Sequence, residues 1–77
     1  MTNNRVKYAS TIRKNIGLSI NKIRLEKRIT LKKLSERTNV SINLLDKFEL
    51  GKNKINIELI AIIANALNVS AKDFLLK

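Results

Sequence analysis

The sequence contains no cysteine and no histidine, and aromatic residues make up only 4% of its 77 positions. Without cysteine the chain has neither a disulfide framework nor a thiolate metal site, and without histidine it lacks the commonest general base and neutral metal ligand. The core must therefore be built from Ile, Leu, Val and Ala, with Phe48 and Phe74 as its largest side chains. This composition is typical of a small helical domain and disfavours an enzyme.

Long apolar runs are also missing. No run reaches the roughly 18 to 20 residues that a membrane helix requires, and the stretch MTNNRVKYAS has no apolar core of the signal-peptide kind. Cationic chains can adhere to membranes, but the predicted first helix has no Trp or Phe to anchor it there. We therefore expect one cytoplasmic domain of modest stability, because so short a chain buries only about 60% of its unfolded surface.

Acidic residues are scarce. Six Asp and Glu stand against sixteen Lys and Arg, which gives a formal charge of +10 and a pI near 10.5. Each cation taken alone is best interpreted as part of a solvated helix face, but the set favours a polyanionic partner such as nucleic acid. In the first half only Glu26 and Glu36 oppose Arg5, Lys7, Arg13, Lys14, Lys22, Arg24, Lys27, Arg28, Lys32, Lys33 and Arg37.

The apolar periodicity predicts a first helix that ends near Arg28. It is carried by four residues at helical spacing, Ile12, Ile16, Ile20 and Ile23. Residues 1–11 are polar and basic without a clear period, so they form either a flexible basic arm or a helix extension, and residues 12–77 form the domain proper. Gly17 costs the helix about 0.8 to 1 kcal/mol relative to Ala. It indicates either a close approach by another backbone or simple tolerance.

Two short helices follow, and polar residues mark their ends. Thr30 is a candidate N-cap for LKKLSERT, which Asn39 can end in the left-handed conformation. Ser41 and Gly51 frame the next helix in the same way. Helices joined by so tight a turn must cross steeply, which is the helix-turn-helix arrangement.

The second of these helices has two different faces. The apolar face holds Val40, Leu45 and Phe48 and is expected to enter the core. The other face is mostly polar and is free to meet a partner. It holds Ile42, Asn43, Asp46 and Lys47.

The rest of the chain predicts two more helices. After the polar loop KNKIN, Asn56 can cap IELIAIIANAL, and Asn68 can close it. Ser70 with Asp73 three residues later is a capping pattern, and it predicts a last helix, AKDFLLK. Since the chain shows no strand pattern and no internal repeat, the expected fold is all-α with five helices.

The segment from Ile16 to Leu75 resembles the phage repressor and Cro family of DNA-binding domains, the XRE-type helix-turn-helix family. The matching stretches are KIRLEKRIT, TLKKLSERTNVS, FELGK and IIANALNVSAKDFL, together with the Ile16-Gly17 pair. The segment spans about sixty of the 77 residues, and the matching stretches follow the family's order and spacing. The resemblance implies a compact, lambda-repressor-like domain in which the second and third of five helices form the helix-turn-helix.

In that family the first residues of the third helix contact base edges in the major groove. The resemblance therefore implies base contacts by Ile42, Asn43 and Lys47, with Asp46 nearby. Asparagine suits adenine, lysine suits guanine, and isoleucine can meet a thymine methyl. Asp46 can accept from cytosine, pair with a neighbouring lysine, or repel phosphate and so weaken binding to wrong sequences. Without the matching flanks, a solvated face would be the default interpretation.

The resemblance also implies contacts to the DNA backbone, at the starts of the second and third helices and after the third. They fall on Thr30, Lys32, Lys33, Ser41, Lys52 and Asn53, with Arg24 as a secondary contact. The chain departs from the family at Leu31, where many members have Gln, and at Leu50, where many have Arg or Asn. Nearby lysines can replace these contacts with less geometric precision, because an ammonium is a point charge.

A structural ion pair between Arg24 and Glu49 is a further implication of the resemblance. In the family such a pair holds the third helix in place and leaves the arginine near a phosphate. We expect Arg24 to be mainly structural.

The fourth helix is more apolar than one buried face requires. Leu59 and Ile62 lie where family members often carry polar residues, while the core stripe needs only Ile60, Ile63, Ala64 and Leu67. Either the domain wraps this helix more fully, or Leu59 and Ile62 pair two copies about a two-fold axis.

These patterns predict a DNA-binding transcription regulator, most simply a repressor that binds an inverted-repeat operator on double-stranded DNA as a homodimer. Restriction-modification controllers and antitoxins would look much the same. The alternative from another class is a protein-interaction module that uses apolar residues in and after the third helix. No cofactor, metal or small-molecule ligand is expected, since the sequence offers no nucleophile with a base, no glycine-rich phosphate loop and no carboxylate cluster.

Overall fold

The structure is a computed structural model that describes residues 3–75, with the side chains of residue 8 and residues 10–75. Within this part the chain forms four α-helices, one short 3₁₀ helix and no strand. The α-helices are α1 (Asn3–Glu26), α2 (Leu31–Thr38), α3 (Ile42–Glu49) and α4 (Ile57–Leu67), and the 3₁₀ helix is Ala71–Phe74.

The two ends of the described chain compare differently with expectation. Helix α1 begins at Asn3, so the described part of residues 1–11 is helical, which is the helix extension that the sequence left open as one of two possibilities. The prediction of a fifth α-helix is wrong for the described residues, because only the 3₁₀ turn Ala71–Phe74 forms. Phe74 is fully buried and anchors this turn, while Leu75 is largely exposed. The turn therefore ends once its one core residue is in place.

Side-chain caps start the helices where the sequence predicts them. The Thr30 hydroxyl accepts from the Lys33 N–H at 3.0 Å, and the Ser41 hydroxyl accepts from the Leu44 N–H at 3.1 Å. The Asn56 side-chain oxygen accepts from the Leu59 N–H at 3.0 Å. These three caps are confirmed.

Left-handed residues end the helices. Asn39, Asn68 and Gly51 have φ values of 60°, 61° and 74°, as predicted. Arg28 also has a positive φ, 59°, which the sequence did not indicate because arginine seldom adopts this conformation. It turns the chain from α1 toward Thr30.

The core lies where α1 packs against α3, and α2 and α4 pack together beside them. As predicted, it is mostly aliphatic, and Phe74 is the largest fully buried side chain. Ile12 differs from the other residues of the predicted α1 stripe because it remains substantially exposed. The buried apolar residues are Ile16, Ile20, Leu34, Leu45, Phe48, Leu59, Ile60, Ile63, Ala64, Leu67 and Phe74.

Gly17 marks the close approach of two helices. A Cβ built on it would lie 2.6 Å from the carbonyl oxygen of Phe48 and still closer to that of Glu49. Real Cβ atoms essentially never come so near. Of the two explanations left open by the sequence, close backbone approach is therefore correct. The end of α3 packs directly against α1 at this glycine.

Candidate nucleic-acid interface

Helix α3 presents a continuous exposed face. Leu45 and Phe48 are buried on its inner side, and Leu44 is half-buried against the core. The structure brings the four predicted base-reading residues together on the outer side, where all are exposed: Ile42, Asn43, Asp46 and Lys47. This face joins one apolar side chain, one amide, one carboxylate and one ammonium.

The turn before α3 is held by hydroxyl groups of α2. The Ser35 hydroxyl donates to the Val40 carbonyl oxygen. The Thr38 hydroxyl donates to the Leu34 carbonyl oxygen at 2.8 Å and accepts from the Val40 N–H at 3.2 Å. Sequence reasoning did not single out Ser35 and Thr38, although hydroxyl residues at the end of a helix were a usable signal. They set the angle at which α3 leaves α2.

A buried ion pair fixes the far end of α3. Arg24 and Glu49 are each only 7% exposed. The arginine Nε donates to Glu49 Oε2 at 2.6 Å, and its Nη2 donates to Oε1 at 3.1 Å, so the contact is bidentate. Its Nη1 also donates to the carbonyl oxygen of Ile29 at 2.7 Å. The pair named by the family resemblance therefore joins α1, α3 and the segment before α2.

Asn21 completes this cluster, and sequence reasoning missed it. Its Nδ2 donates to Glu49 Oε1 at 2.8 Å, so three donors satisfy the carboxylate. No buried side-chain nitrogen or oxygen among the described residues lacks a hydrogen-bond partner. Burying a charge is costly unless such partners are present, so this complete set explains how Glu49 can lie inside.

Polar and basic residues surround the exposed face of α3 along the chain. Thr30 and Ser41 are exposed caps, so each marks a helix N-terminus where backbone N–H groups point outward and favour anions. Lys33 lies 3.9 Å from Glu36, but both side chains are exposed and such a pair is worth about 0 to 1 kcal/mol. The remaining predicted backbone-contact residues, Lys32, Lys52 and Asn53, are exposed or half-buried.

The two positions that depart from the family have different environments. Leu31 is partly buried and packs against the core, so its apolar side chain has a structural use. Leu50 is 53% exposed directly after α3 and serves no comparable packing role.

Lys14 is a basic residue that sequence reasoning did not place at this site. A Cβ built on Gly51 would lie 2.8 Å from the Cα and 3.0 Å from the backbone nitrogen of Lys14. Helix α1 therefore passes against the turn that follows α3, and the exposed Lys14 lies beside the segment that leads to Lys52. The sequence predicted Gly51 only as a left-handed helix end, so this contact with Lys14 came from the structure alone.

Leu59 does not form an exposed pair with Ile62. It is 9% exposed and belongs to the core, so the prediction of an exposed patch is wrong for Leu59. The domain wraps α4 widely, which was the alternative interpretation. Ile62 is 45% exposed.

Two further properties bear on the chemistry of the site. Among residues 3–75, no group of three or more acidic side chains is arranged to hold a metal ion. None of the helices described is both long and apolar enough to cross a membrane.

Comparison with known proteins adds to this geometry. A helix-turn-helix family model matches residues 20–74. Two crystal structures of the clp gene regulator ClgR from Corynebacterium glutamicum are similar, each with 33% sequence identity, a TM-score of 0.80 and coverage of 83% of this chain. The match spans 83% of one ClgR chain and 68% of the other. No curated protein matches the chain.

Proposed function

The chain belongs to the XRE-type helix-turn-helix family of DNA-binding transcription regulators, and we propose that it is a repressor that binds an inverted-repeat operator as a homodimer. The observation that carries this proposal is the exposed face of α3, which is fixed to α1 at one end and to α2 at the other. A reading helix must be rigid, because a shift of about 1 Å is enough to break bidentate contacts to bases.

Within this proposal, α3 lies in the major groove. Asn43 bonds an adenine through its amide, Lys47 donates to guanine, and Ile42 meets a thymine methyl. Asp46 accepts from cytosine or disfavours sequences that bring a phosphate near it. All four side chains project from the same face of one two-turn helix, which supports readout of a short half-site.

Contacts to the DNA backbone supply most of the salt-dependent affinity in this proposal. Thr30, Ser41 and Asn53 bind phosphate through hydrogen bonds, and the nearby lysines Lys32, Lys33 and Lys52 bind it through charge. Lys14 joins this set because it lies against Gly51. Arg24 acts mainly through Glu49, since only 9% of its side chain is exposed.

The comparisons with known proteins also support a role in gene regulation. The similar structures are described as a regulator of clp genes, and their likeness covers 83% of this chain. From these structures we carry over only the class of function, gene regulation, and we propose that this chain acts in the cytoplasm.

The first test is fluorescence anisotropy over a series of salt concentrations. One labelled duplex carries the DNA immediately upstream of this protein's own gene, because compact repressors often control their own promoters, and the other carries a shuffled sequence. We expect the native duplex to bind more tightly by a factor of about 10³ or more, with affinity falling steeply as salt rises. Binding that shows no preference among genomic fragments, by a folded protein, would contradict the proposal.

A matched pair of variants then tests the role of α3. Asn43→Ala should weaken binding to the preferred duplex by about 1 to 3 kcal/mol while leaving binding to the shuffled duplex unchanged. Asn65→Ala, which alters an exposed asparagine on α4, should change neither. Equal losses on both duplexes would remove Asn43 from base readout.

A protein-interaction module is the second candidate, and the exposed apolar side chains at the two ends of α3 favour it. Ile42 is 43% and Leu50 is 53% exposed. Pull-down from cell extract in the presence of nuclease separates the two functions. A partner that is retained after DNA digestion, and lost on Ile42→Ser, would support the interaction module.

A further inference from the structure

An apolar cleft lies on the side of the domain formed by α1 and the start of α4. Its volume is about 370 Å³, and apolar side chains line it. Ile16 and Ile60 are buried at its floor, whereas its rim remains largely exposed. The rim consists of Ile12, Ile55, Ile57 and Leu75.

We infer that this cleft is where a second copy of the chain docks, with Ile57 of each copy inserted into the cleft of the other. The inference rests on the proposed function, because it names the surface through which the repressor pairs. It replaces the α4 pair Leu59 and Ile62, of which only Ile62 is at the surface.

The shape of the cleft favours a second copy. Ile57 is 79% exposed, more than any other large apolar side chain among the described residues, and it stands at the rim of the cleft itself. A protruding side chain beside a cavity is self-complementary, because a two-fold rotation puts each protrusion into the opposite cavity. A small ligand would instead need polar groups to orient it, and the lining residues offer only aliphatic side chains.

The position of the cleft suits a DNA-bound dimer. Gly51, at the end of α3, and Ile55, at the rim, are only four positions apart in the chain, and four residues span at most about 14 Å. The two α3 helices would therefore stay near the two-fold axis. This geometry allows them to enter successive major grooves about 34 Å apart on one side of the duplex.

The size of the cleft and the charge of the chain set the strength of the pairing. The rim supplies four side chains, far fewer than the roughly 20 to 30 residues a side of a standard stable interface. Two chains of formal charge +10 also repel each other. The free dimer should therefore be weak, and added salt should strengthen it by screening the repulsion, whereas added salt weakens DNA binding.

Sedimentation equilibrium of the full chain without DNA tests this inference, with two matched isoleucine substitutions on α4. Ile57→Glu should weaken self-association at least tenfold, and Ile62→Glu, an equally drastic change outside the cleft, should leave it unchanged. Both side chains are exposed, so both variants should keep the far-ultraviolet circular dichroism of the wild type. Raising the salt concentration should shift the wild type toward dimer.

Crosslinking gives an independent readout, because the natural chain has no cysteine. Ile57→Cys should yield a covalent dimer with a short bismaleimide at low protein concentration, and Ile62→Cys should not.

The inference is overturned if the wild type stays monomeric both free and on a two-half-site duplex, or if Ile57→Glu dimerises normally. It is also overturned if the cleft binds a different protein instead of a second copy. A monomeric wild type would also contradict the homodimer in the proposed function, whereas normal dimerisation of Ile57→Glu would overturn this inference alone. Operator preference is measured separately by fluorescence anisotropy, so failure of the inference is distinguishable from failure of DNA recognition.

Discussion

Arg24 and Glu49 are 25 residues apart in the chain, yet the arginine Nε lies 2.6 Å from a carboxylate oxygen of Glu49 in the interior between α1 and α3. A second hydrogen bond from Nη2 fixes the planes of the two groups relative to each other. Because Glu49 is the last residue of α3, this contact orients the whole exposed face of that helix. The ion pair thus links the stability of the domain to the proposed readout of DNA.

Removing one partner of this pair should be strongly destabilising. Glu49→Ala leaves the buried guanidinium without its carboxylate, and we expect the free energy of unfolding to fall by about 3 to 5 kcal/mol. Urea unfolding followed by far-ultraviolet circular dichroism measures this change. Glu36→Ala is the control, since its exposed carboxylate should matter by less than about 0.5 kcal/mol. Similar losses of stability for the two variants would show that the buried ion pair stabilises the domain no more than an exposed carboxylate does.

Gly17→Ala should destabilise the domain although alanine is the better helix former. The new methyl group would meet the carbonyl oxygens of Phe48 and Glu49, so α3 must shift, at a cost of about 1 to 3 kcal/mol. Thermal unfolding and DNA affinity should both decline. Asn15→Ala, at an exposed position of the same helix, should instead stabilise by a few tenths of a kcal/mol, roughly the propensity difference. A stabilised Gly17→Ala protein would contradict the close packing.

Lys14→Gln should weaken DNA binding without altering sequence preference. If Lys14 neutralises one phosphate, the slope of log affinity against log salt should become shallower by about 0.9. Salt titration by fluorescence anisotropy on native and shuffled duplexes gives both quantities. Lys72→Gln is the control, because Lys72 lies on the 3₁₀ turn, which packs against α1 and α4. An unchanged slope for Lys14→Gln would exclude Lys14 from the phosphate contacts.

Leu50→Asn should strengthen DNA binding. Many family members have Arg or Asn at this position, and the exposed Leu50 can be replaced with little loss of packing. A restored hydrogen bond to phosphate should raise affinity severalfold, roughly the 0.5 to 1.5 kcal/mol of one typical hydrogen bond. The matched control is Leu18→Asn, which changes a leucine on α1 that is also exposed, at 64%. If both variants bind as the wild type does, the departure at Leu50 has no bearing on affinity.

Features that depend on neighbours in the chain could be predicted without the structure. The caps Thr30, Ser41 and Asn56 and the left-handed Asn39 and Asn68 are where the sequence placed them. Each uses hydrogen bonds that reach only a few residues along the chain, so the local order of residues is sufficient information. The division of α3 into an inner and an outer face follows equally from helical spacing.

Contacts between distant parts of the chain were harder to predict from the sequence. Three features depend on how the helices pack. They are the burial of Leu59, the single turn in place of the predicted last helix, and the contact of Lys14 with Gly51. The family resemblance implied Arg24 and Glu49 as partners, but Asn21 as the third donor group came only from the structure.

By itself the sequence determined the aliphatic, all-helical composition, the capped ends of α2, α3 and α4, the residues on the outer face of α3 and the strongly basic charge. These are properties of short segments or of the whole composition, and they do not require knowledge of packing. Only the tertiary structure decided which apolar residues stay outside, because helical periodicity assigns a side chain to a face but not to a neighbour. It is therefore the packing of the 3₁₀ turn against both α1 and α4 that creates the cleft beside Ile57.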